Sequence, residues 1–291
     1  MKIKKCVRFG VFRQFVLSYL IIELVVLAAL IPLYQMTLST TRARQIDEEY
    51  VRIRGTVSRI SAELDSAAAL MVLLSRSDEM RTIASYSNVL SPVEKYRTAK
   101  QRRLLQVALF NWNFIEDFYL LFGHNEVVMS ADRVWFSYSS FYDKWFAYEG
   151  VELDSWSESI RDSMKKPSKG IRDIFTLYTI NTQTLRTEAK KTLIFTVPFA
   201  EWPESGMGLF LIPLEQILNT FELENGDDIR LYGADGNPML TNGEQIKPYL
   251  NVEDGWLEIG DHTQFTVQDD VSDLTFVITV PTDKIGSNVK S

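Results

Sequence analysis

The sequence has little of what catalysis and metal binding usually require. Its 291 residues include one cysteine, Cys6, and two histidines, His124 and His262, which are far apart and fall in predicted turns. The chain after Cys6 therefore lacks thiols and disulfides, and the histidines do not have the spacing of a zinc site. No G-x-S-x-G motif, GxGxxG motif or phosphate-binding loop occurs. We expect a protein that is not an enzyme, holds no metal and needs no cofactor.

A basic surface of the kind that binds nucleic acids is also missing. The chain has 31 Lys and Arg residues against 38 Asp and Glu residues, and five of the cationic residues lie in the first 14 positions. The remaining chain is strongly acidic, and its one basic cluster lies on a short predicted helix, which is typical of a solvated face. That cluster is Arg97, Lys100, Arg102 and Arg103. We expect no nucleic-acid partner, because such a partner needs cationic side chains opposite its phosphates.

One long apolar run is present, at residues 15–34, directly after the cationic residues. Its length is about what an α-helix needs to cross a hydrocarbon layer of ~30 Å. The run is longer than the apolar part of a signal peptide, and residues 32–36 (Pro-Leu-Tyr-Gln-Met) are not a small-x-small cleavage site. We therefore predict an uncleaved transmembrane helix in preference to a signal peptide or a buried soluble helix. The cationic residues predict a cytoplasmic N-terminus, a cell-membrane location and an extracellular bulk.

Glu23 is the one residue within this apolar run that carries a charge at neutral pH. An ionisable side chain near the middle of a bilayer costs on the order of a few kcal/mol unless it is protonated, paired or turned towards another helix. Two interpretations stay open. Glu23 is either a tolerated cost in a helix rich in Leu, Ile and Val, or a contact with a second membrane helix.

A charged segment with regular apolar positions follows the run and predicts a long stalk helix from about residue 38 to about residue 74. The apolar residues are spaced 4, 3, 4, 3 over four heptads, which is typical of a helix with one continuous seam. This seam could form a parallel homodimer or pack against the chain's own sheet, and we expect a mixture of the two. The predicted dimer seam is Ile46, Tyr50, Ile53, Val57, Ile60 and Leu64, and the part expected to be buried in its own domain is Ala67, Met71 and Leu74.

Shorter elements are predicted after the stalk helix. A short helix is expected within 75–90, and Ser91-Pro92-Val93-Glu94 predicts the start of another that runs to about residue 109. Aromatic and β-branched segments then predict a hairpin, further strands, one helix at 213–221 and a second set of strands. The predicted strands are 114–122, 127–130, 170–179, 191–199, 207–212, 229–232, 238–240, 255–259, 263–268 and 274–280, with an exposed loop at 180–190.

The order of these elements predicts an α+β fold with antiparallel sheets backed by helices. The charged start leads into Phe12-Arg13-Gln14-Phe15-Val16-Leu17-Ser18-Tyr19-Leu20, and the last strand reads Phe276-Val277-Ile278-Thr279-Val280-Pro281. With one anchor, a long helix and two sheet units, the sequence resembles the N-terminal sensory half of Firmicutes transmembrane regulators with a double Cache ectodomain. It is most similar to membrane-bound AraC-type transcriptional regulators, and next to sensor histidine kinases with the same input architecture.

The resemblance implies two PAS-like antiparallel sheet units, of which the first is membrane-distal and usually holds the ligand. It also implies a second membrane helix, but no second apolar run follows Pro281, so we expect a fragment of a larger product or an orphan input module. The predicted domains are a cytoplasmic basic segment (1–14), a transmembrane helix (15–34), the stalk and short helices (38–110), a distal Cache unit (111–222), a proximal Cache unit (223–285) and a truncated lead to a second membrane helix (286–291).

The best candidate for a binding site is a run of eight aromatic residues within 14 positions, from Trp135 to Tyr148. Ligand pockets combine aromatic walls with a few polar groups, but such density is also typical of rings that close a core, and both interpretations stay open. In double Cache proteins this region commonly lines the pocket, although the Tyr, Arg and Trp signature of the amino-acid-binding members is absent. The predicted ligand contacts are Arg133, Trp135, Tyr138, Tyr142, Asp143, Trp145, Tyr178 and Thr196.

These observations together predict an extracellular ligand-sensing input module of a membrane-bound signalling or transcription regulator. The ligand would be a small molecule or carbohydrate, and the module would act as a homodimer in which binding favours one arrangement of the helix pair. The alternative is a non-enzymatic, membrane-anchored scaffold whose heptad helix and aromatic surface bind a partner protein.

Overall fold

The computed structural model describes most of the chain, and two compact units are distinguished in it, Met1–Val51 with Asp283–Ser291, and Arg52–Thr282. The described residues are 4–106, 112–148, 150–165, 170–180, 187–223, 227–233, 236, 238–241, 254–269 and 271–285. Within these ranges the side chains of 4–11, 143–145, 148, 170–180, 187–189, 240 and 241 are not described. The domain boundaries given above stay a prediction.

One helix, α1, runs without a break over Lys4–Ser75. It contains both the apolar run and the predicted stalk helix, and Pro32 lies inside it. Within the described residues, α1 is the one helix long and apolar enough to cross a membrane, and its apolar window is exposed throughout. The predicted stalk helix is therefore confirmed, and it is continuous with the apolar helix.

The heptad seam of α1 is buried within the chain itself, which corrects the predicted dimer seam. Ile53, Val57, Ile60 and Leu64 are at most 3% exposed in the single chain, and Ile46 is buried too, while Tyr50 is half-buried. From Ile53 onward the seam is therefore not available to a partner helix. Heptad spacing specifies an apolar stripe on one face of a helix but not what covers that stripe. The prediction that the stretch from Ala67 to Leu74 is buried in its own domain is confirmed.

Two polar side chains of α1 form hydrogen bonds with backbone groups elsewhere in the compact unit Arg52–Thr282. The Glu63 carboxylate oxygen Oε1 accepts hydrogen bonds from the backbone N–H groups of Phe114, at 2.6 Å, and Ile115, at 3.0 Å. The Arg52 guanidinium donates to the carbonyl oxygen of Phe221 at 3.0 Å. These bonds satisfy backbone groups that lie outside regular secondary structure.

Three short helices follow α1. Helix α2 covers Asp78–Ala84, α3 covers Pro92–Gln101 and α4 covers Arg103–Gln106. The capping box predicted at the start of α3 is confirmed, because the Ser91 and Glu94 side chains each bind the other residue's backbone N–H. The predicted single helix is interrupted at Arg102, between α3 and α4, and its predicted end near residue 109 lies outside the described residues. The Arg102 guanidinium donates to the carbonyl oxygen of Asp132 at 2.5 Å.

The first sheet has seven antiparallel strands in the order β3-β2-β1-β7-β6-β5-β4. The predicted hairpin is confirmed as β1 paired with β2. The predicted loop at 180–190 is shorter than expected, because β5 and β6 pair as far as Ile180 and Thr187. The strands are β1 Asp117–Phe122, β2 Val128–Met129, β3 Val134–Trp135, β4 Ala147–Tyr148, β5 Gly170–Ile180, β6 Thr187–Pro198 and β7 Gly206–Pro213.

Two helices in the first sheet unit were not predicted from the sequence. Helix α5 covers Tyr138–Trp145 and begins at Ser137, whose hydroxyl caps the Ser140 N–H at 3.2 Å. Helix α6 covers Leu153–Lys165 and buries Trp156, Ile160 and Met164. The aromatic density of α5 resembles that of a strand, whereas the spacing of four residues between the buried side chains of α6 is a helical signal. A further short helix, α7 at Leu214–Thr220, confirms the predicted one.

The second sheet has five antiparallel strands in the order β10-β11-β12-β8-β9. Each of them overlaps a predicted strand. They are β8 Asp228–Tyr232, β9 Pro238–Thr241, β10 Gly255–Ile259, β11 His262–Asp269 and β12 Leu274–Pro281. The fold is therefore α+β, with a long N-terminal helix and two antiparallel sheet units, as predicted.

Different helices pack on the two faces of the first sheet. On one face, Met71 of α1 lies against Gly208, where an added Cβ atom would be 2.5 Å from the Met71 sulfur. The rings of Phe118 and Phe210 stack on this same face, with centroids 5.5 Å apart. The opposite face packs against α5 and α6 in one apolar cluster. The candidate site lies on that opposite face.

Candidate functional site

Strand pairing brings three polar side chains onto the face of the first sheet that α5 and α6 cover. Asp117 and Tyr119 of β1 pair with Leu211 and Leu209 of β7, and Leu209 also pairs with Thr196 of β6. Directly paired residues share a face, and both leucines belong to the cluster that contains α5 and α6. Tyr119 and Thr196 are two strand spacings apart, or ~10 Å. That distance suits the two ends of a small ligand.

Seven rings, which we call the aromatic cluster, belong to the apolar cluster on this face of the sheet. Their contacts are mostly edge-to-face or tilted, which is the favoured geometry for aromatic pairs. The Tyr119 ring is 5.0 Å from that of Phe141, and the Tyr142 ring is 4.8 Å from that of Trp156. The cluster consists of Tyr119, Trp135, Tyr138, Phe141, Tyr142, Phe146 and Trp156.

Some polar atoms of the aromatic cluster have hydrogen-bond partners in the described part of the chain, whereas the indole N–H of Trp156 does not. The Tyr138 hydroxyl donates to the carbonyl oxygen of Phe122 at 3.0 Å, and the Tyr142 hydroxyl donates to that of Val151 at 2.9 Å. The indole N–H of Trp156 is buried and has no hydrogen-bond partner in the described part of the chain. A buried donor left unpaired costs about 1–3 kcal/mol. A ligand with an acceptor group would remove that cost.

Asp117 is the titratable group of this face. Burial raises its pKa to about 6, while hydrogen bonds from the Tyr119 hydroxyl and the Phe118 N–H, at 2.8 Å, act in the opposite direction. The nearby carboxylates of Asp132 and Glu116 raise the pKa further. Burial and the Asp117 carboxylate also raise the pKa of Tyr119 well above its ordinary value, so that its hydroxyl stays protonated.

The raised pKa of Asp117 makes stability depend on pH. Since the pKa is about 6 in the folded chain and ordinarily 3.8, the folded chain binds more protons between these values. The protonated carboxyl therefore stabilises the fold below pH 3.8, and this contribution is lost as the pH rises to about 6. We expect the thermal unfolding midpoint of the wild-type chain to fall over this interval relative to Asp117→Asn, whose amide does not titrate. Parallel pH profiles of the two proteins would contradict the assignment.

The structure distributes the predicted ligand contacts over different environments. Trp135, Tyr138 and Tyr142 lie in the aromatic cluster, and Thr196 is buried on the same face of the sheet. The side chain of Arg133 is exposed on the turn between β2 and β3. The side chains of Asp143, Trp145 and Tyr178 lie outside the described residues. Tyr138, Phe141 and Phe146 are at most 1% exposed, so the interpretation of the aromatic run as a core applies to these three.

Sequence reasoning missed Asp117, Tyr119 and Trp156. Asp117 stands at the start of an apolar strand, where alternation with a period of two places it on the same face as Tyr119. The alternation along β1 could therefore have predicted from the sequence that Asp117 and Tyr119 share a face. Trp156 lies in a helix that was not predicted, and nothing local in the sequence brings it to the sheet.

The arrangement provides binding groups around an apolar centre. A carboxylate, a phenol, a threonine hydroxyl and an indole N–H lie on the same side of the sheet as the aromatic rings, and pockets for small molecules combine such polar groups with aromatic walls. Among the described residues no group of three or more His, Cys, Asp or Glu side chains is placed to hold a metal ion. These side chains can bind a ligand through hydrogen bonds and through contacts with the aromatic rings.

No protein-family model and no curated protein matches the sequence. Solved structures do match. The domain of a Vibrio parahaemolyticus protein assigned to the sensory box/GGDEF family is 11% identical, with a TM-score of 0.51 over 84% of this chain and 98% of that chain. The extracellular domain of vpHK1S-Z8, a protein assigned to the histidine kinases, is 9% identical, with a TM-score of 0.50 over 87% of this chain and 97% of that chain. The fold is therefore that of Cache-like sensor domains.

Proposed function

We propose that the protein is the ligand-sensing input module of a membrane-bound signalling protein, with the first sheet unit as its binding unit. The observation that carries this proposal is the position of Asp117, Tyr119 and Thr196, three polar side chains on one sheet face beneath the aromatic cluster. The likeness in fold to sensory domains supports the same function. In such a module the protein supplies binding and a change of conformation rather than catalysis.

The proposed ligand is a small molecule or carbohydrate. Its hydrogen-bond donors would face the Asp117 carboxylate and the Tyr119 phenol oxygen, its acceptors would face the Thr196 hydroxyl, and its apolar part would meet the rings of Trp135 and Tyr142. The mixture of donors and acceptors suits a polar ligand, and the rings suit one with an apolar face. The other predicted contacts, Arg133, Asp143, Trp145 and Tyr178, stay part of this proposal as predictions.

The proposed topology places the N-terminus in the cytoplasm and the sheets outside the cell. The cationic residues before the apolar part of α1 support it, because positive charge is retained on the cytoplasmic side. The proposed assembly is a homodimer formed by the part of α1 that precedes Arg52, and a contact between membrane helices would accommodate Glu23. The proposed output is an AraC-type transcription regulator or, second, a histidine kinase.

The test is a ligand screen on the full chain in lipid nanodiscs. Amino acids, small carboxylic acids and monosaccharides are assayed by thermal shift, and each compound that stabilises the chain is titrated by calorimetry. For a ligand on the first sheet we expect Asp117→Asn to weaken binding about tenfold or more, because a hydrogen bond to a charged group is lost. Thr196→Val should weaken it by about threefold to tenfold.

Thr263→Val is the matched control. It makes the same chemical change at a buried threonine of the second sheet, so binding to the first sheet should be unchanged. Binding that survives both first-sheet variants would refute the site. If no compound in the screen binds, while a partner protein binds the aromatic surface, the scaffold function would replace the sensory one.

A further inference from the structure

The second sheet carries polar side chains on a face that is buried. Five of them, which we call the polar patch, are each at most 8% exposed. Strand pairing places them in two adjacent rows, because Asp228 pairs with Thr279 and Thr279 with Gln264, while Arg230 and Thr266 both pair with Val277. The polar patch is Asp228, Arg230, Gln264, Thr266 and Thr279.

The centre of the polar patch is an ion pair within one strand. The guanidinium Nε of Arg230 donates to Asp228 Oδ2 at 2.7 Å, and both side chains are more than nine-tenths buried. The other carboxylate oxygen, Asp228 Oδ1, is buried and has no hydrogen-bond partner in the described part of the chain. Nearby, the Gln264 amide donates to the Thr266 hydroxyl at 3.3 Å. Among the residues that the structure describes, the patch therefore holds an acceptor that lacks a donor.

The opposite face of the same strands is built as an ordinary core. The residues that alternate with the polar patch are buried and almost all apolar, and the Phe276 ring lies 5.7 Å from that of Phe221. They include Ile229, Leu231, Phe265, Val267 and Ile278. A buried ion pair is often no more stable than well-packed apolar residues of the same volume, and an unpaired buried oxygen is costly. Packing alone does not account for the polar patch.

We propose that the polar patch is a second ligand site, for a neutral polyhydroxylated molecule of monosaccharide size. The site lies on the second sheet and does not depend on the ligand site proposed for the first. A ligand hydroxyl would donate to Asp228 Oδ1, and other hydroxyl oxygens would accept from the Arg230 guanidinium. The Gln264 amide and the two threonine hydroxyls can donate or accept as the ligand requires.

Charge and hydrogen-bonding capacity together select this class of ligand. The Asp228 and Arg230 charges cancel, so the patch favours neither an anion nor a cation. Its groups comprise one acceptor, one donor and three side chains that do both. A polyol uses all of them because each hydroxyl is both donor and acceptor. A small zwitterion has one donor group and one acceptor group, so it would use fewer of these side chains than a polyol does.

The test uses the full chain in lipid nanodiscs and calorimetric titration with D-glucose, D-xylose, D-ribose and myo-inositol. We expect saturable binding of at least one of these. Arg230→Met should weaken it about tenfold or more, because a charged donor is lost. Thr266→Val removes one hydroxyl with little change of shape, so it tests the patch even if Arg230→Met fails to fold. We expect Thr266→Val to weaken polyol binding about threefold to tenfold.

Two controls separate this site from the first. Thr263→Val lies on the same strand as Thr266 but on the apolar face, and it should leave binding unchanged. Asp117→Asn on the first sheet should also leave it unchanged. The proposal is overturned if none of the four polyols binds, if binding survives both patch variants, or if Asp117→Asn abolishes it. Binding of glycine at the patch without any polyol would overturn the proposed class.

Discussion

Replacing Glu63 by alanine is expected to lower the free energy of unfolding by about 3 kcal/mol. Glu63 is the buried acceptor for two backbone N–H groups, those of Phe114 and Ile115. Without the carboxylate both donors stay buried and unpaired, and each costs about 1–3 kcal/mol. The better helix propensity of alanine offsets only a few tenths of this, or about 0.4 kcal/mol. Urea unfolding of the full chain in detergent micelles, followed by circular dichroism, measures the loss.

Two variants make this result interpretable. Glu63→Gln keeps one acceptor oxygen and should lose less than half as much stability as Glu63→Ala. Glu48→Ala removes an exposed glutamate of the same helix, whose ion pair with Arg44 is worth about 0.3–0.5 kcal/mol. If Glu63→Ala were no more destabilising than Glu48→Ala, the bonds from Glu63 to the segment before β1 would not contribute to stability.

The second large effect is expected at Gly206, the first residue of β7. A Cβ atom there would overlap the Phe199 ring and would lie 2.7 Å from the carbonyl oxygen of Leu121. The carbonyl belongs to the backbone of a paired strand, and the Phe199 ring is held between Phe122 and Trp202. Neither neighbour can move without disturbing the sheet. We expect Gly206→Ala to cost about 3 kcal/mol or more, at the upper end for overpacking.

The same substitution at Gly55 provides a control of opposite sign. Gly55 is exposed in α1, and an added Cβ atom there meets nothing within 4 Å. Alanine should therefore raise the free energy of unfolding by about 1 kcal/mol through helix propensity alone. Equal effects of the two variants in urea unfolding would refute the close packing at Gly206.

Local patterns predicted most of the elements. Aromatic and β-branched segments predicted each strand of the second sheet, and Ser91 with Glu94 predicted the start of α3. These signals succeed because they depend on neighbours within a few residues, whose geometry the backbone fixes. The same patterns failed at α5, which lies within the run of eight aromatic residues from Trp135 to Tyr148, because such a run is as typical of a strand or a core as of a helix.

The candidate sites depended on contacts that no local pattern contains. Asp117 faces α5 and α6 because β1 pairs with β7, almost a hundred residues later in the chain. Nothing in the sequence analysis predicted that Asp228 and Arg230 are buried, and only the structure places them in the polar patch. The aromatic run predicted a ligand contact at Tyr138, which is a core residue, and did not predict the polar side chains of β1.

The sequence by itself determined the apolar helix, the heptad stripe that follows it and the positions of most strands along the chain, because each is a local property of a continuous segment. Only the tertiary structure decided what covers the stripe, which face of each sheet carries polar groups, and which distant side chains meet there. The physical reason is that burial and pairing are relations between segments far apart in the chain. A sequence pattern specifies one partner of such a contact and leaves the other open.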